Sequence, residues 1–225
     1  LPEKYINGRG KEITYTKEQI EDSRLPISQT LKQNGVDINV LKDITEITIY
    51  TDKNLNWGKF FGNKIDEVKQ KFPMLVYETA EQIIKISDYN KIALAYGIEK
   101  YSLNDDEYIM LCDFDSMKEL RNTVLKEGEN SLEIAGKKYK SKYNECKSGF
   151  VMMSTSHTNT GIILVPDTCP LTESNKEQAL LIANYNANTD EEKEEIEKMF
   201  SSGDSGLIQG LAGRGLEIDG TSKIA

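Results

Sequence analysis

Apolar positions along the chain follow the two periods of regular secondary structure most clearly within residues 73–166. Residues 83–86 are rich in isoleucine and predict a short strand that stops at Ser87 and Asp88, which are good helix N-caps. The helical period that follows ends at Gly97, where a left-handed C-cap costs little. This stretch therefore predicts a strand followed directly by a helix.

The next elements in the same stretch are predicted from the length of each apolar run and from helix-capping residues. Residues 107–112 form an apolar run that is too short for a helix and suits a buried strand. Ser116 and Glu119 match a capping box, which opens a helix that we expect to reach Leu125.

A β-hairpin is the next prediction along the chain. It covers residues 131–143 and has its turn at Ala135 and Gly136. The same kind of pattern predicts two more strands, over residues 149–154 and 161–165.

The N-terminal part of the chain predicts three strands. The first is Glu12–Tyr15. Residues 36–41 and 44–50 are two further β-rich runs, and a turn at Lys42 and Asp43 would make them antiparallel neighbours.

The clearest helical pattern lies between residues 54 and 72, where one apolar stripe recurs at helical spacing. We expect this stripe to pack on the sheet. The alternative is that its aromatic start is exposed and faces a membrane surface or a lipid chain. The stripe consists of Trp57, Phe61, Ile65, Val68 and Phe72.

The composition changes beyond Pro166. Residues 179–185 predict another strand, and Thr189 with Glu192 forms a capping box that opens an acid-rich helix reaching Phe200. Acidic residues are favoured in the first turns of a helix by its dipole, so they have a structural explanation. Residues 201–215 are rich in glycine and predict a mobile or membrane-proximal connector.

Together these elements predict an α+β fold with a mixed or mainly antiparallel sheet and several packed helices, in one lobe or two. A chain of 225 residues is long enough to bury a sizeable core. We expect an N-terminal strand and helix lobe over residues 1–82, a central α+β region over residues 83–200 that is continuous with it, and a glycine-rich, membrane-proximal connector over residues 201–225.

The charge balance narrows the classes of partner. The chain has 28 Lys and Arg against 37 Asp and Glu, for a net charge of -9. This negative charge would repel nucleic acid, and it favours either solubility or attraction of cationic partners. No run of about 18 apolar residues is present that could cross a bilayer. Because the chain begins at Leu1 and without a signal-like segment, we expect it to be part of a longer protein.

The residues that usually carry chemistry are sparse. Of the three cysteines, Cys112 falls in a predicted core strand, and a disulfide between Cys146 and Cys169 is left open. The single histidine, His157, lies in a polar loop, where an exposed turn residue is a simpler interpretation than a catalytic base. There is no Walker, Rossmann or nucleophile-elbow motif. We predict no enzymatic activity, no cofactor and no metal; a hydrolase that uses His157 is the remaining enzymatic hypothesis.

Several segments in order resemble one protein family. The chain looks like the large extracellular domain of FtsX-like ABC transporter permeases, and most closely like the bacitracin-export (Bce) branch. The resemblance covers residues 83–225, whereas residues 1–82 agree only in length and element order. The segments that carry it are Ile86-Ser-Asp-Tyr-Asn90, Tyr108 to Asp113, Gly136-Lys-Lys-Tyr139, Thr160-Gly-Ile-Ile-Leu-Val-Pro166 and Asp219-Gly-Thr-Ser-Lys-Ile224.

This resemblance implies a domain inserted between two membrane helices of a permease, on the extracellular face of the cell membrane. In that branch the ATPase is a separate subunit, and the transporter signals to a partner membrane histidine kinase. It gives resistance to peptide antibiotics that act on cell-wall lipid intermediates. The implied ligand is a cationic peptide of the bacitracin or lantibiotic class, or its complex with a lipid carrier. The resemblance supplies no catalytic residue.

Two acidic clusters and one aromatic cluster are the candidate ligand contacts. Carboxylates would attract a cationic peptide, and aromatic side chains would anchor its apolar part. For each cluster, a solvated face or core packing is the competing interpretation. If the domain binds no peptide itself, it would instead serve as a docking or mechanical element that engages the kinase. The candidate residues are Asp105, Asp106, Glu107, Asp190, Glu191, Glu194, Trp57, Phe60 and Phe61.

Overall fold

The structure, a computed structural model, divides the chain into two compact units. The first comprises Leu1–Thr16 and Tyr50–Lys176, and the second comprises Lys17–Ile49 and Glu177–Ala225. The description covers residues 3–6, 12–15, 41–73, 77–113, 115–127, 131–149, 161–185, 189–191 and 216–219.

The first unit contains most of the described secondary structure. Its β-strands are β1 (Glu3–Ile6), β2 (Glu12–Tyr15), the second part of β3 (Leu41–Asn56), β4 (Ala80–Lys85), β5 (Glu107–Leu111), β6 (Ser131–Ile134), β7 (Lys137–Ser141) and β8 (Ile162–Val165). Its α-helices are α1 (Trp57–Phe61), α2 (Ile65–Lys71), α3 (Ile86–Tyr96) and α4 (Asp115–Glu127).

A mixed β-sheet organises this unit. Its strand order is β3-β4-β8-β5-β7-β6, and β1 pairs with β2 in a separate antiparallel hairpin. Strand β8 pairs in parallel with β4 and antiparallel with β5, while β5 and β7 are parallel. Every residue of β5 and of β8 is buried, as expected for strands at the centre of a sheet covered by helices. The predicted α+β class with a mixed sheet and packed helices is confirmed.

The predicted pair of strands over residues 36–41 and 44–50 is wrong where it can be checked. Residues 41–56 form one continuous strand, β3, that runs through the proposed turn at Lys42 and Asp43. That pair contains no glycine, proline or asparagine, so nothing forces a positive φ there. The β-branched residues that follow keep the chain extended instead.

The predicted helix over residues 54–72 is interrupted. Helix α1 ends at Gly62, whose φ of 52° and ψ of -122° lie outside the helical region, and a 3-10 turn leads into α2. Asn56 caps α1 by accepting a hydrogen bond from the Lys59 N–H at 2.8 Å. The apolar stripe nonetheless faces the core, with Trp57 and Val68 buried, so the predicted packing is confirmed.

Other local predictions are confirmed with small shifts. Helix α3 ends at Gly97 in the left-handed conformation, but it begins at Ile86, with Lys85 as an N-cap that makes no side-chain hydrogen bond. The hairpin of β6 and β7 forms around Ala135 and Gly136, whose φ angles are 51° and 81°. The strands predicted at residues 107–112 and 161–165 and the helix predicted after Ser116 are present as β5, β8 and α4.

The second unit is described over residues 41–49 of β3 and over β9 and β10. Strand β9 (Lys176–Tyr185) begins with the last residue of the first unit and confirms the strand predicted over residues 179–185. It lies between β10 and β3 in the sheet. Strand β10 (Leu216–Asp219) pairs with β9 in parallel. Asp190 and Glu191 start a helix. The rest of that predicted helix and the glycine-rich residues 201–215 lie outside the described residues.

The structure also answers the questions of cysteine pairing and of membrane-spanning helices. Cys112, Cys146 and Cys169 are all buried and none forms a disulfide. Among the residues that the structure covers, no helix combines the length and the apolar character needed to cross a bilayer. His157 and all but Gly149 of the strand predicted at residues 149–154 lie outside the described residues.

Candidate binding groove

The two exposed acidic candidates at the start of β5 already have partners. Asp106 pairs with Lys140 at 3.5 Å. Asp105 accepts a hydrogen bond from the Thr168 hydroxyl at 3.2 Å, and its carbonyl oxygen accepts one from the Lys137 ammonium at 2.9 Å. A cationic ligand at this place would compete with lysines of the chain itself.

The remaining candidates of the first unit face inwards. Glu107 is buried, and the Asn104 amide donates a hydrogen bond to its Oε1. Trp57, Phe60 and Phe61 are also buried, with exposed fractions of 4%, 3% and 2%. The alternative that exposed these aromatic rings to a membrane is therefore wrong, and the rings belong to the core.

The second acidic candidate cluster belongs to the other unit. Asp190 and Glu191 are exposed there, which fits the solvated first turn of a helix. Glu194 lies outside the described residues. The three candidate clusters therefore lie in different surroundings. Asp105 and Asp106 lie on a surface where they already have partners, the aromatic residues lie in the core, and Asp190 and Glu191 lie in the second unit.

A buried ion pair was not foreseen. Arg121 of α4 contacts Glu81 of β4 through two short contacts, with Nη1 at 3.0 Å from Oε1 and Nη2 at 3.1 Å from Oε2. Neither side chain has any exposed surface. Burial lowers the pKa of Arg121 and the Glu81 carboxylate raises it; the carboxylate has the larger net effect, so the guanidinium stays charged.

The surroundings of Arg121 fix its orientation. Its Cζ lies 4.7 Å from the ring centroid of Phe60 and 5.4 Å from that of Phe61, and Nη1 lies 3.5 Å from the Met110 sulfur. A Cβ at Gly161 would lie 3.0 Å from the Arg121 Cζ. The cluster thus joins four elements of the core. Its sequence signal was an arginine four residues after Met117, on the apolar face of α4.

An open groove of about 490 Å³ is the candidate ligand site of the first unit. One wall is the segment that follows α3 and carries Ile98, Glu99 and Tyr101. A second wall consists of residues 145–149, and Lys118 of α4 also lines the groove. Its volume lies within the usual range of small-ligand sites.

The first wall is held by specific hydrogen bonds to Tyr101. The Asn90 side chain of α3 accepts from the Tyr101 N–H at 3.0 Å and donates to the Tyr101 carbonyl at 2.8 Å. The Tyr101 hydroxyl donates to the Ser148 carbonyl at 2.7 Å, which ties this wall to the second one. The groove is therefore preorganised rather than formed by loose loops.

The second wall is attached to the central sheet. Lys147 forms a parallel bridge with Leu111 of β5, in which its N–H donates to the Met110 carbonyl at 2.9 Å and its carbonyl accepts from the Cys112 N–H at 3.2 Å. A Cβ at Gly149 would lie 2.1 Å from the Tyr89 hydroxyl, so this position cannot hold a side chain without displacement.

Two side chains that line the groove have strongly raised pKa values. Burial, followed by the Glu99 carboxylate, raises the pKa of Tyr101 to about 12, and Asp113 adds to the rise. Burial also raises the pKa of the Cys146 thiol to about 12, although Arg121 and Lys118 oppose this rise. Cys146 is therefore protonated at neutral pH and is a poor nucleophile.

Two exposed apolar side chains lie near the end of α3, and one of them, Ile98, lines the groove. Leu94 and Ile98 have exposed fractions of 70% and 37%, and among the large apolar side chains in the described ranges these two are the exposed ones. They lie four residues apart at the end of α3, where the Ile98 N–H donates to the Ala93 carbonyl at 3.0 Å. Leu94 belongs to the last turns of α3, whereas Ile98 follows Gly97, where the chain leaves the helix in the left-handed conformation.

Comparison with known proteins adds no relative. No protein-family model, curated protein or solved structure matches this chain. Within the described ranges, no group of three or more His, Cys, Asp or Glu side chains could hold a metal ion. A functional proposal therefore rests on the groove and on the resemblance carried by the sequence.

Proposed function

We propose that the chain is the large extracellular domain of an FtsX-like ABC transporter permease of the bacitracin-export type. It binds cationic peptide antibiotics, or their complexes with a lipid carrier, without altering them chemically. The resemblance supports this proposal, because four of its segments fall on neighbouring parts of one unit. These segments supply the start of α3, strand β5, the β6–β7 turn and strand β8.

The groove is the observation that carries the binding function. Its lining includes the exposed apolar side chain of Ile98 and the exposed carboxylate of Glu99, the next residue along the chain. An amphipathic cationic peptide has the complementary pair of features. The acidic cluster at Asp105 and Asp106 is a weaker candidate, because lysines of the chain contact both residues.

The proposed cellular role follows the family. The domain projects from the extracellular face of the cell membrane, and a separate ATPase subunit supplies the energy for transport. A membrane histidine kinase receives the signal that peptide is present. The net charge of -9 would speed the encounter with a cationic peptide, mainly through the association rate.

Calorimetric titration of the full chain tests the binding function. We expect saturable heat with bacitracin or with a lantibiotic, and a lower association rate at higher ionic strength. Ile98→Ser should weaken binding, whereas Glu133→Gln, which removes an exposed carboxylate on β6, should leave it unchanged. Absence of heat with both peptides would contradict peptide binding by this domain.

A second test addresses membership of a permease. The parent gene should encode apolar segments of about 20 residues on both flanks of this chain. A parent protein without such segments would exclude the transporter proposal.

Docking to the sensor kinase is the second candidate function. The 70% exposure of Leu94 favours it, since an apolar side chain at the end of a helix suits contact with another protein. In that case the chain would give no heat with either peptide and would bind the purified kinase, and Leu94→Ser would reduce that binding.

A further inference from the structure

We infer that the groove is polarised and holds a peptide segment in one direction, with a basic side chain beside Glu99, a carboxylate beside Lys118 and an apolar side chain on Ile98. This inference rests on the proposed peptide-binding function. It adds the orientation of the ligand and the two residues that determine it.

Glu99 supplies a negative charge to the groove. Glu99 is exposed and makes no ion pair or hydrogen bond in the described part of the chain. After burial, the Glu99 carboxylate is the next cause of the raised pKa of Tyr101, which lines the same groove. An exposed carboxylate without a partner in the groove favours a cationic group of the ligand.

Lys118 supplies a positive charge to the groove. Lys118 is half-buried, makes no ion pair with the described residues, and acts on the Cys146 thiol together with Arg121. Arg121 is fully buried and committed to Glu81, which leaves the Lys118 ammonium as the accessible charge. A ligand carboxylate could pair with it directly.

The other cation of the groove is already neutralised. The Lys147 ammonium lies 3.4 Å from Glu145 Oε1 and 4.4 Å from the ring centroid of Tyr143. Lys147 and Glu145 thus compensate one another, and the polarity of the groove depends on Glu99 and Lys118. Ile98, the residue before Glu99, supplies the exposed apolar side chain of the groove.

A pair of synthetic peptides tests the roles of Glu99 and Lys118 separately. The probes are acetyl-Lys-Ile-Ala with a free carboxyl terminus and the same peptide as its amide, titrated into the full chain and followed by calorimetry. The free acid should bind more tightly than the amide. Glu99→Gln should weaken both peptides by about three- to tenfold, the range expected for one partly exposed charge pair. Lys118→Gln should weaken the free acid alone and remove the difference between the two.

Matched controls separate local from general charge effects. Glu133→Gln and Lys138→Gln change exposed charges on β6 and β7 outside the groove, and both should leave the two affinities unchanged. Circular dichroism establishes that each variant is folded. Equal affinity of acid and amide for the wild-type chain, or an unchanged affinity in Glu99→Gln, would overturn the inference.

The outcome is distinguishable from failure of the proposed function. If bacitracin binds the wild-type chain and the Glu99→Gln variant equally, the binding function stands and the polarised groove is wrong. If neither bacitracin nor a lantibiotic binds the wild-type chain, the proposed function itself fails, whatever the synthetic peptides show.

Discussion

The core pair of Arg121 and Glu81 and the surface pair of Lys140 and Asp106 have the same chemistry in opposite environments. The core pair is fully buried, with short contacts of 3.0 and 3.1 Å. The surface pair lies at 3.5 Å, and its side chains are 60% and 59% exposed. Water screens the surface pair, whereas loss of one member of the core pair leaves an uncompensated charge in an apolar environment. Position in the fold, rather than charge type, sets the importance of each pair.

The largest effect is expected at the core pair. Arg121→Met should lower the free energy of unfolding by about 3–5 kcal/mol, because it leaves the Glu81 carboxylate buried without its partner. Urea denaturation followed by circular dichroism measures this change. The double variant Arg121→Met with Glu81→Leu is the control and should recover most of the loss. A single variant as stable as the wild type would show that Glu81 finds another partner.

An intermediate effect is expected in the hairpin, which depends on its backbone more than on its lysines. Gly136 has a φ of 81°, and the neighbouring Ala135 N–H donates to Asp52 Oδ2 of β3 at 2.8 Å. Gly136→Ala should cost about 1–2 kcal/mol through strain in the left-handed region. Thermal unfolding measures it, with Gly97→Ala at the end of α3 as a comparison for the same strain. An unchanged midpoint for Gly136→Ala would contradict the turn geometry.

The smallest effect is expected at the surface pair. Lys140→Ala should change the free energy of unfolding by less than about 0.5 kcal/mol, since both charges stay hydrated without each other. Urea denaturation at low and at high salt measures it, and the small difference should shrink further at high salt. A loss as large as that of Arg121→Met would remove the contrast between the two environments.

The same dependence on position in the fold explains why the acidic site predicted at Asp105 and Asp106 differs from the groove found in the structure. Adjacent carboxylates at Asp105 and Asp106 are conspicuous in the sequence, but Lys140 of β7, more than thirty residues later, pairs with the Asp106 carboxylate, and Thr168 donates to that of Asp105. Glu99 has no neighbouring acidic residue in the sequence, and it becomes a candidate only because the fold brings it to the same groove as Lys118. Charge clusters in a sequence therefore indicate acidity and do not locate a free binding surface.

Local backbone geometry could be predicted from the sequence wherever a turn or a helix end requires a conformation that one residue type adopts easily. Gly97 ends α3 because glycine adopts the left-handed cap without strain, and Ala135 with Gly136 marks the hairpin for the same reason. Strand β5 followed from an apolar run of the right length. The missed continuity of β3 has the opposite cause, since Lys42 and Asp43 allow a turn but do not require one.

By itself, the sequence determined the α+β class, the positions of most described helices and strands, and the burial of the stripe that begins at Trp57. Those features depend on periodicity and on backbone conformation, which act over a few residues. The tertiary structure alone decided the contact of Arg121 with Glu81 and the meeting of Glu99, Tyr101 and Lys118 around one groove. Such contacts join residues that are distant along the chain, and the order in which strands pair sets which of them meet.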